Sequence, residues 1–181
     1  MVKIIRKVCI LSSLVAFIAG CGYNTQSLIA TEFKSIYVEP FANKINITAE
    51  QSNARMYRGY RPGLEIEITK KVIDRYMSDG NLKIGSSDNA DVILKSELTD
   101  YRKEPLRYDS NDNIEEYRIK IIVNIQLVDA DTGKTIWKEM GFSGETTYRT
   151  NGSLAKSESQ AIREAMDDLA RRIVERTVEG W

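Results

Sequence analysis

The clearest periodic pattern in this sequence lies between residues 117 and 127, where every second side chain is apolar. The apolar positions are Tyr117, Ile119, Ile121, Val123, Ile125 and Leu127. Successive side chains of a β-strand point to opposite faces of its sheet, so a period of two predicts a strand with one buried face. The other positions are mostly polar and include Arg118, Lys120, Asn124 and Gln126. The chain must therefore form a sheet that is covered on one side and meets water or a partner on the other.

The segments on either side of this strand predict two neighbouring strands. Residues 90–98, extended to about residue 102, form the preceding strand, and the polar residues 104–113 predict a hairpin loop between the two. Residues 129–134 then turn the chain. A return strand follows from residue 135 to about residue 148. On this strand we expect Trp137 on one face, and on the other face Ile136, Met140 and Phe142.

Two segments have the 3.6-residue spacing of amphipathic helices, and both are expected to cover the apolar face of the sheet. The first follows Pro62 and Gly63 and ends at about Gly80. Its apolar residues are Leu64, Ile68, Val72, Ile73, Tyr76 and Met77. The second follows Ser157, which together with Gln160 fits a capping box. Its apolar stripe consists of Ala161, Ile162, Ala165, Met166, Leu169, Ala170, Ile173 and Val174.

A strand at residues 35–39, which stops at Pro40, and a short edge strand at residues 82–84 complete the set of elements. The order is strand, helix, short strand, three meandering strands and helix, which predicts an α+β two-layer sandwich. We expect a mostly antiparallel four-stranded sheet, with the short edge strand in addition, and two helices on one face. The opposite face is expected to carry Trp137 and the polar residues Arg118, Lys120, Asn124, Gln126, Lys138 and Glu139.

The start of the chain has the layout of a bacterial lipoprotein signal. Lys3, Arg6 and Lys7 precede an apolar run that ends at Gly20-Cys21-Gly22. The run has about a dozen residues, whereas roughly 20 are needed to span a bilayer. We therefore expect a signal peptide at residues 1–20, a lipid such as palmitate on Cys21, a tether over residues 21–33 and one α+β domain over residues 34–181. The alternative is an N-terminal membrane helix or a buried core helix.

Composition excludes several kinds of chemistry. The chain has no His, and its two Cys are Cys9, inside the expected signal, and Cys21. Thiol catalysis, disulfides and the commonest metal ligands and general bases are therefore absent after cleavage. The whole chain has 26 basic and 26 acidic residues, and residues 1–20 contain three of the basic ones and no acidic one. The mature chain therefore has a net charge of about −3, whereas a nucleic-acid-binding domain typically has an excess of basic residues. We therefore expect that the protein is not an enzyme, that it needs no cofactor or metal, and that it does not bind nucleic acid.

The order of these segments resembles that of the LPS-assembly lipoprotein family (LptE), over nearly the whole mature chain. The matching segments are Cys21-Gly22-Tyr23, Ser35–Val38, Leu64-Glu65 with Thr69, Ala90–Leu94, Glu116–Arg118, Asp131–Trp137, Ser157–Ile162 and Asp168–Val174. The resemblance implies an outer-membrane lipoprotein on the periplasmic side that plugs a large β-barrel (LptD) and assists its assembly. It also implies that the protein binds lipopolysaccharide during delivery to the outer leaflet. The implied fold has two helices on a four-stranded sheet.

The resemblance further implies where lipopolysaccharide binds. In family members, a Lys just before the last helix and a basic residue in the hairpin loop before the Glu-Tyr strand are implicated. Lys156 matches the first position, and Arg107 the second, with Arg102 and Lys103 as alternatives. Lys and Arg donors at the tips of neighbouring elements suit the dense negative charge of lipid A phosphates. The alternative is that these residues are ordinary solvated charges.

Two other functions stay open from the residues alone. A pilotin-like or generic envelope lipoprotein that binds another outer-membrane complex would share the anchor, the size and the lack of catalytic residues. The identity of the partner separates this function from the first. A carboxylate-based hydrolase would need two buried acids in a cleft, and no paired acidic constellation stands out in the sequence.

Overall fold

The computed structural model of the chain describes residues 32–46, 51–52, 57–58 and 61–179. The predicted signal peptide, Cys21 and the tether up to residue 31 lie outside the described residues. The elements, in chain order, are β1 (Ser35–Val38), β2 (Ala42–Asn43), β3 (Gln51–Ser52), β4 (Tyr57–Arg58), α1 (Leu64–Asp79), β5 (Lys83–Ile84), β6 (Val92–Tyr108), β7 (Ile114–Asp129), β8 (Thr135–Arg149) and α2 (Glu158–Glu179).

The strands form a mixed sheet, which corrects the expectation of a mostly antiparallel four-stranded one. The long strands β6, β7 and β8 pair antiparallel, as the meander predicts. However, β1 lies parallel to both β5 and β6, and β2 also runs parallel to β6. With the two-residue strands included, the described residues form an eight-stranded sheet. The parallel pairing of β1 with β5 is possible because α1 carries the chain back between them, as a parallel connection requires.

Both helices lie on one face of the sheet, as predicted. The core between helices and strands contains Leu64, Ile68, Val72 and Tyr76 from α1. It also contains the whole predicted stripe of α2, from Ala161 to Val174. The Ser157 hydroxyl caps α2, since it accepts a hydrogen bond from the Gln160 N–H at 3.2 Å. Gly80 follows α1 in the left-handed conformation, with φ 78°.

Strand β7 has the two-faced character that its alternation predicts. Ile119, Ile121, Val123 and Leu127 are fully buried against the helices. The side chains between them are partly exposed on the other side of the sheet. This side of β6, β7 and β8 is called the open face below, and on β7 it carries Arg118, Lys120, Asn124 and Gln126.

A bulge in β8 changes which of its residues share a face. The pairing passes from Ile125–Glu139 to Val123–Phe142, so Asn124 is opposite two residues, Met140 and Gly141. Gly141 adopts the left-handed conformation with φ 69°. Its N–H donates to the Asn124 side-chain oxygen at 3.1 Å. An extra residue held in this way reverses the facing of the side chains on one side of the bulge.

The prediction that Trp137 and Glu139 lie on the open face is therefore wrong. Trp137 packs against the core, with the Arg176 guanidinium carbon 4.9 Å from its ring centroid. Glu139 accepts a hydrogen bond from Arg176 of α2. Ile136 and Met140 lie on the open face instead, where Met140 is 65% exposed. Beyond the bulge, Phe142 packs against the core, so it does not share a face with Met140.

Helix α2 and the connection before it close part of the outer edge of β8. Asp168 accepts a hydrogen bond from the Glu145 N–H at 3.0 Å, and the Arg172 guanidinium donates to the Ser143 carbonyl. Nearer the end of the strand, the Lys156 N–H donates to the Arg149 carbonyl at 3.0 Å. These groups satisfy backbone atoms that an edge strand otherwise exposes.

Candidate functional site

The predicted basic residues lie at one end of the sheet, where β6 ends, β7 begins and β8 leads into α2. Strand β6 extends to Tyr108, so much of the predicted hairpin loop at residues 104–113 is strand. In the remaining connection, Asp109 accepts hydrogen bonds from the N–H groups of Asn113 and Asn111 at 2.9 and 2.8 Å. These bonds, chiefly those from Asn113, lower the pKa of Asp109.

Arg102, Lys103 and Arg107 are consequently strand residues, and the alternation of β6 divides them between two faces. Arg102 lies on the open face, with its Nε 2.7 Å from the Asp100 carboxylate. Arg107 is opposite Glu116 on the same face, and its Nε is 3.7 Å from that carboxylate. The Arg107 side chain is 56% exposed, so it keeps most of its contact with solvent.

Lys103 lies on the helix side and shares Glu158, at the start of α2, with Arg61. The Lys103 ammonium is 2.6 Å from one Glu158 oxygen, and the Arg61 guanidinium is 3.3 Å from the other. Lys103 also lies over the Tyr117 ring, 4.5 Å from its centroid. Tyr117 in turn stacks on Tyr148, with ring centroids 5.7 Å apart. Lys103 thus joins three strands to the start of the helix.

Lys156 lies on the connection just before α2 and is held by a carboxylate of that helix. Its Nζ is 2.8 Å from each of the two Glu164 oxygens. Glu164 also accepts a hydrogen bond from the Thr146 hydroxyl of β8 at 3.2 Å. The hydrogen bond from Lys156 is the main cause of a lowered pKa at Glu164. The Lys156 side chain is 38% exposed, so a ligand has access to it.

A groove of about 520 Å³ lies beside Lys156. Its lining residues are Glu116, Thr147, Tyr148, Arg149, Ser153, Leu154, Ala155 and Lys156. Leu154 is 68% exposed, so the lining of the groove includes an exposed apolar side chain as well as Lys156. Across the strands, Glu116 is opposite both Arg149 and Arg107. The structure therefore brings Lys156 and Arg107 to the same end of the sheet, and Lys156 lines the groove there.

The open face below this end carries charges of both signs. Besides the pairs made by Arg102 and Arg107, Lys120 lies 3.8 Å from Glu145. A smaller pocket of about 190 Å³ opens on the same three strands. Its lining residues are Lys95, Ser96, Glu97, Asn124, Ile125, Gln126, Lys138 and Met140. This face can therefore contact a polar partner surface, with Met140 as an exposed apolar contact.

Glu158 and Glu164 are site residues that the sequence did not predict. Glu158 is 97 positions from Arg61, and such a distant pairing leaves no local pattern in a single sequence. A weak indication was available for Glu158 alone, because it lies in the first turn of a helix, where negative charge is favourable. Among the described residues, no group of three or more His, Cys, Asp or Glu side chains is placed to hold a metal ion.

Two helices on a mixed sheet, with an open charged face and ion-paired basic residues at one end, define an α+β domain. The family model described as LptE: Lipopolysaccharide-assembly matches residues 33–177, and the chain belongs to this family. Members of the family are non-catalytic lipoproteins, and membership supports an outer-membrane lipoprotein of lipopolysaccharide assembly. The family predicted from the order of the sequence segments is thus confirmed.

Several solved structures of bacterial proteins are similar to this chain at low sequence identity. A minor lipoprotein from Acinetobacter baumannii has a TM-score of 0.49 at 13% identity, over 82% of this chain and 95% of that one. A protein from Xanthomonas campestris has a TM-score of 0.48 at 12% identity, over 81% and 84% of the two chains. The rare lipoprotein B from Shewanella oneidensis has a TM-score of 0.41 at 13% identity, over 80% and 92%. No curated protein matches the sequence.

Within the described part of the chain, neither helix combines the length and the apolar character needed to cross a bilayer.

Proposed function

We propose that this protein is an outer-membrane lipoprotein that plugs an LptD-like β-barrel, assists its assembly and binds lipopolysaccharide during delivery to the outer leaflet. The match of the lipopolysaccharide-assembly family over residues 33–177 is the observation that carries the proposal. The layout of the first 22 residues supports an anchor through a lipid on Cys21. In this scheme residues 1–20 are removed, residues 21–33 are the tether, and residues 34–181 form the working domain on the periplasmic side.

The open face of the sheet is the surface that we assign to the barrel. Three strands of 15 to 17 residues present it, and its ion pairs involve Arg102, Arg107 and Lys120. The inside of an outer-membrane barrel is polar. A face of mixed charge complements such a surface better than the apolar face, which the helices already cover.

Lys156 and Arg107 are the residues that we assign to lipopolysaccharide. Both are partly exposed at the same end of the sheet, and each makes an ion pair that a ligand can replace. Lipid A phosphates accept charge-assisted hydrogen bonds from ammonium and guanidinium groups. Lys103 and Arg102 are weaker candidates, since their side chains are 23% and 34% exposed and already make ion pairs of 2.6 and 2.7 Å.

Lipopolysaccharide binding tests the lipid part of the proposal. Lys156→Glu reverses the charge at the groove and should weaken binding without unfolding the domain, because the side chain is on the surface. Lys134→Glu is a matched control, since Lys134 is an exposed lysine in the turn between β7 and β8, at the other end of β7. Equal binding by both variants and the wild type would remove Lys156 from the site.

Crosslinking in cells, with the partner identified by mass, tests the barrel part of the proposal. We expect a large outer-membrane β-barrel protein to be recovered with the lipoprotein. Recovery of a secretin or another complex would instead favour the pilotin-like alternative, and recovery of the monomer alone would count against both.

A further inference from the structure

Three polar side chains lie in a row across the open face, far from the groove of about 520 Å³. Lys95 of β6 is opposite Gln126 of β7, and Gln126 is opposite Lys138 of β8. Neighbouring strands lie about 4.8 Å apart, so the backbone positions of the two lysines are roughly 10 Å apart. Measured along β7 from Gln126 to Glu116 at about 3.3 Å per residue, the row lies roughly 30 Å from the end of the sheet where the groove opens.

The two lysines of this row differ from Arg102, Arg107 and Lys120 on the same face, because they have no anionic partner. Those three residues lie between 2.7 and 3.8 Å from a carboxylate. In the part of the chain that the structure describes, neither Lys95 nor Lys138 makes an ion pair or a side-chain hydrogen bond. Both side chains are exposed. Two positive charges are therefore held on one side of the sheet by the strand pairing, and an anion from outside is able to neutralise them.

Both lysines line the pocket of about 190 Å³, and an amide group adds a further donor to it. Asn124 lies in the same lining, and its side-chain oxygen accepts the hydrogen bond of the Gly141 N–H at 3.1 Å. The Asn124 amide nitrogen is thus the part of this side chain that remains for a ligand. Two ammonium groups and an amide around one small space suit a carboxylate, whose two oxygens accept several hydrogen bonds.

The volume and the lining of the pocket limit what can enter. Pockets that enclose a drug-sized molecule measure about 300–1,000 Å³, so a pocket of about 190 Å³ suits one side chain better than a lipid head group. Glu97 lies in the lining opposite Asn124 and repels an anion, which directs an entering carboxylate to the row of lysines. Met140, which is 65% exposed, gives the pocket an apolar wall for the stem of that side chain.

We propose, on the basis of the barrel-binding function proposed above, that this pocket receives an aspartate or glutamate side chain of the barrel protein. Lys95 and Lys138 hold the carboxylate, and Asn124 donates a hydrogen bond to it. Charge pairs across an interface fix the register in which two surfaces meet. The contact therefore sets which part of the barrel lies against the open face.

Zero-length crosslinking of the lipoprotein in its own outer membrane tests the proposal. A carbodiimide joins an ammonium group to a carboxylate only when the two are in direct contact. We expect mass spectrometry to identify peptides in which Lys95 or Lys138 is joined to an aspartate or glutamate of the barrel protein.

Co-purification of the barrel with lysine variants is the second measurement. The double variant Lys95→Gln/Lys138→Gln should recover about tenfold less barrel, the loss that a close interfacial charge pair produces. Lys134→Gln is the matched control, since it removes an exposed lysine of the turn between β7 and β8 that does not line the pocket. It should recover as much barrel as the wild type. Circular dichroism verifies that each variant keeps its fold.

The outcomes separate this inference from the proposed function. A barrel recovered equally by the wild type and the double variant, with neither lysine crosslinked, would overturn the inference and leave the proposed function standing. A wild type that recovers no barrel would overturn both. If the double variant keeps the barrel but loses binding to vesicles that contain lipid A, the pocket holds a lipid phosphate, and the assignment of an acidic side chain is overturned.

Discussion

The hydroxyl groups of Tyr76 and Thr177 lie 2.7 Å apart between the two helices, and both side chains are fully buried. The Thr177 hydroxyl donates to the Ile173 carbonyl at 2.9 Å, so Tyr76 is the donor of the bond between the helices. Burial raises the pKa of Tyr76, which keeps the phenol neutral and able to donate. A polar contact therefore fixes how α1 and α2 lie against each other within an apolar core.

Removing either hydroxyl should destabilise the domain, but by different amounts. Tyr76→Phe leaves Thr177 bonded to Ile173 and should lower the free energy of unfolding by about 1 kcal/mol. Thr177→Val leaves the Tyr76 hydroxyl buried without an acceptor and should cost about 2 kcal/mol. The double variant should cost less than the sum of the two. Urea denaturation measures all three values, and a larger cost for Tyr76→Phe than for Thr177→Val would contradict this account.

At Gly144 of β8, the backbone of α2 lies so close to the sheet that there is no room for a side chain. A Cβ atom at this position would lie 2.5 Å from the Cα of Leu169. Gly144→Ala should therefore force the helix away from β8 and lower the free energy of unfolding by about 2 kcal/mol. Ser143→Ala, one residue away with its side chain on the open face, is the control and should be nearly neutral. Equal unfolding midpoints for the two variants would mean that α2 adapts without cost.

Acid should weaken the attachment of β1 through Asp91. This carboxylate accepts hydrogen bonds from the N–H groups of Lys34 and Ser35 at 2.7 and 2.9 Å, and they lower its pKa, with Lys34 as the main cause. A carboxyl group whose pKa is lowered on folding contributes stability above its unfolded value of about 4, and this is lost as the pH falls through the native value. Asp91→Asn should therefore be less stable than the wild type at neutral pH.

The difference between Asp91→Asn and the wild type should shrink as the pH falls below about 4. Urea midpoints across this range test the expectation. Asp88→Asn removes an exposed negative charge from the same region and is the control. A difference between Asp91→Asn and the wild type that stays constant with pH would show that the carboxylate does not have this role.

If the proposed barrel is the partner, association with it should depend on the open face and not on exposed apolar residues in general. Met140 lies on that face and is 65% exposed, whereas Ile66 is 69% exposed on α1, in the helix layer. Met140→Asp should reduce co-purification of the barrel without changing the unfolding midpoint. Ile66→Asp, which removes a similar apolar area, should leave co-purification unchanged. The reverse result would assign the partner to the helix layer.

The sequence predicted the elements whose patterns are local. The alternation of β7, the stripe of α2 and the Ser157 cap depend on neighbours within a few residues, and the structure confirms each of them. The parallel pairing of β1 was missed because it joins segments about 50 residues apart. Local pattern does not determine which distant strands pair or in which direction.

The predictions of which β8 side chains share a face, and of where the basic residues of the hairpin lie, were wrong for a related reason. One inserted residue at Met140–Gly141 reverses the period of two, and this insertion is recognisable only from the pairing with Asn124. Because β6 extends to Tyr108, part of the predicted loop is strand. The alternation of this strand places Lys103 on the helix side of the sheet and Arg102 and Arg107 on the open face. The position of Lys156 before α2 was predicted, whereas its partner Glu164 depends on how the connection folds back.

The partly closed edge of β8 bears on how the protein avoids aggregation. An unpaired strand is a template on which further chains can add without limit, and fibrous aggregates grow in this way. Asp168, Arg172 and the Lys156 N–H already occupy backbone groups between residues 143 and 149. Polymerisation along this stretch is therefore blocked from within the fold. At this stretch of the rim, a second chain finds no free backbone groups at these positions, which leaves the broad faces of the domain for specific contacts.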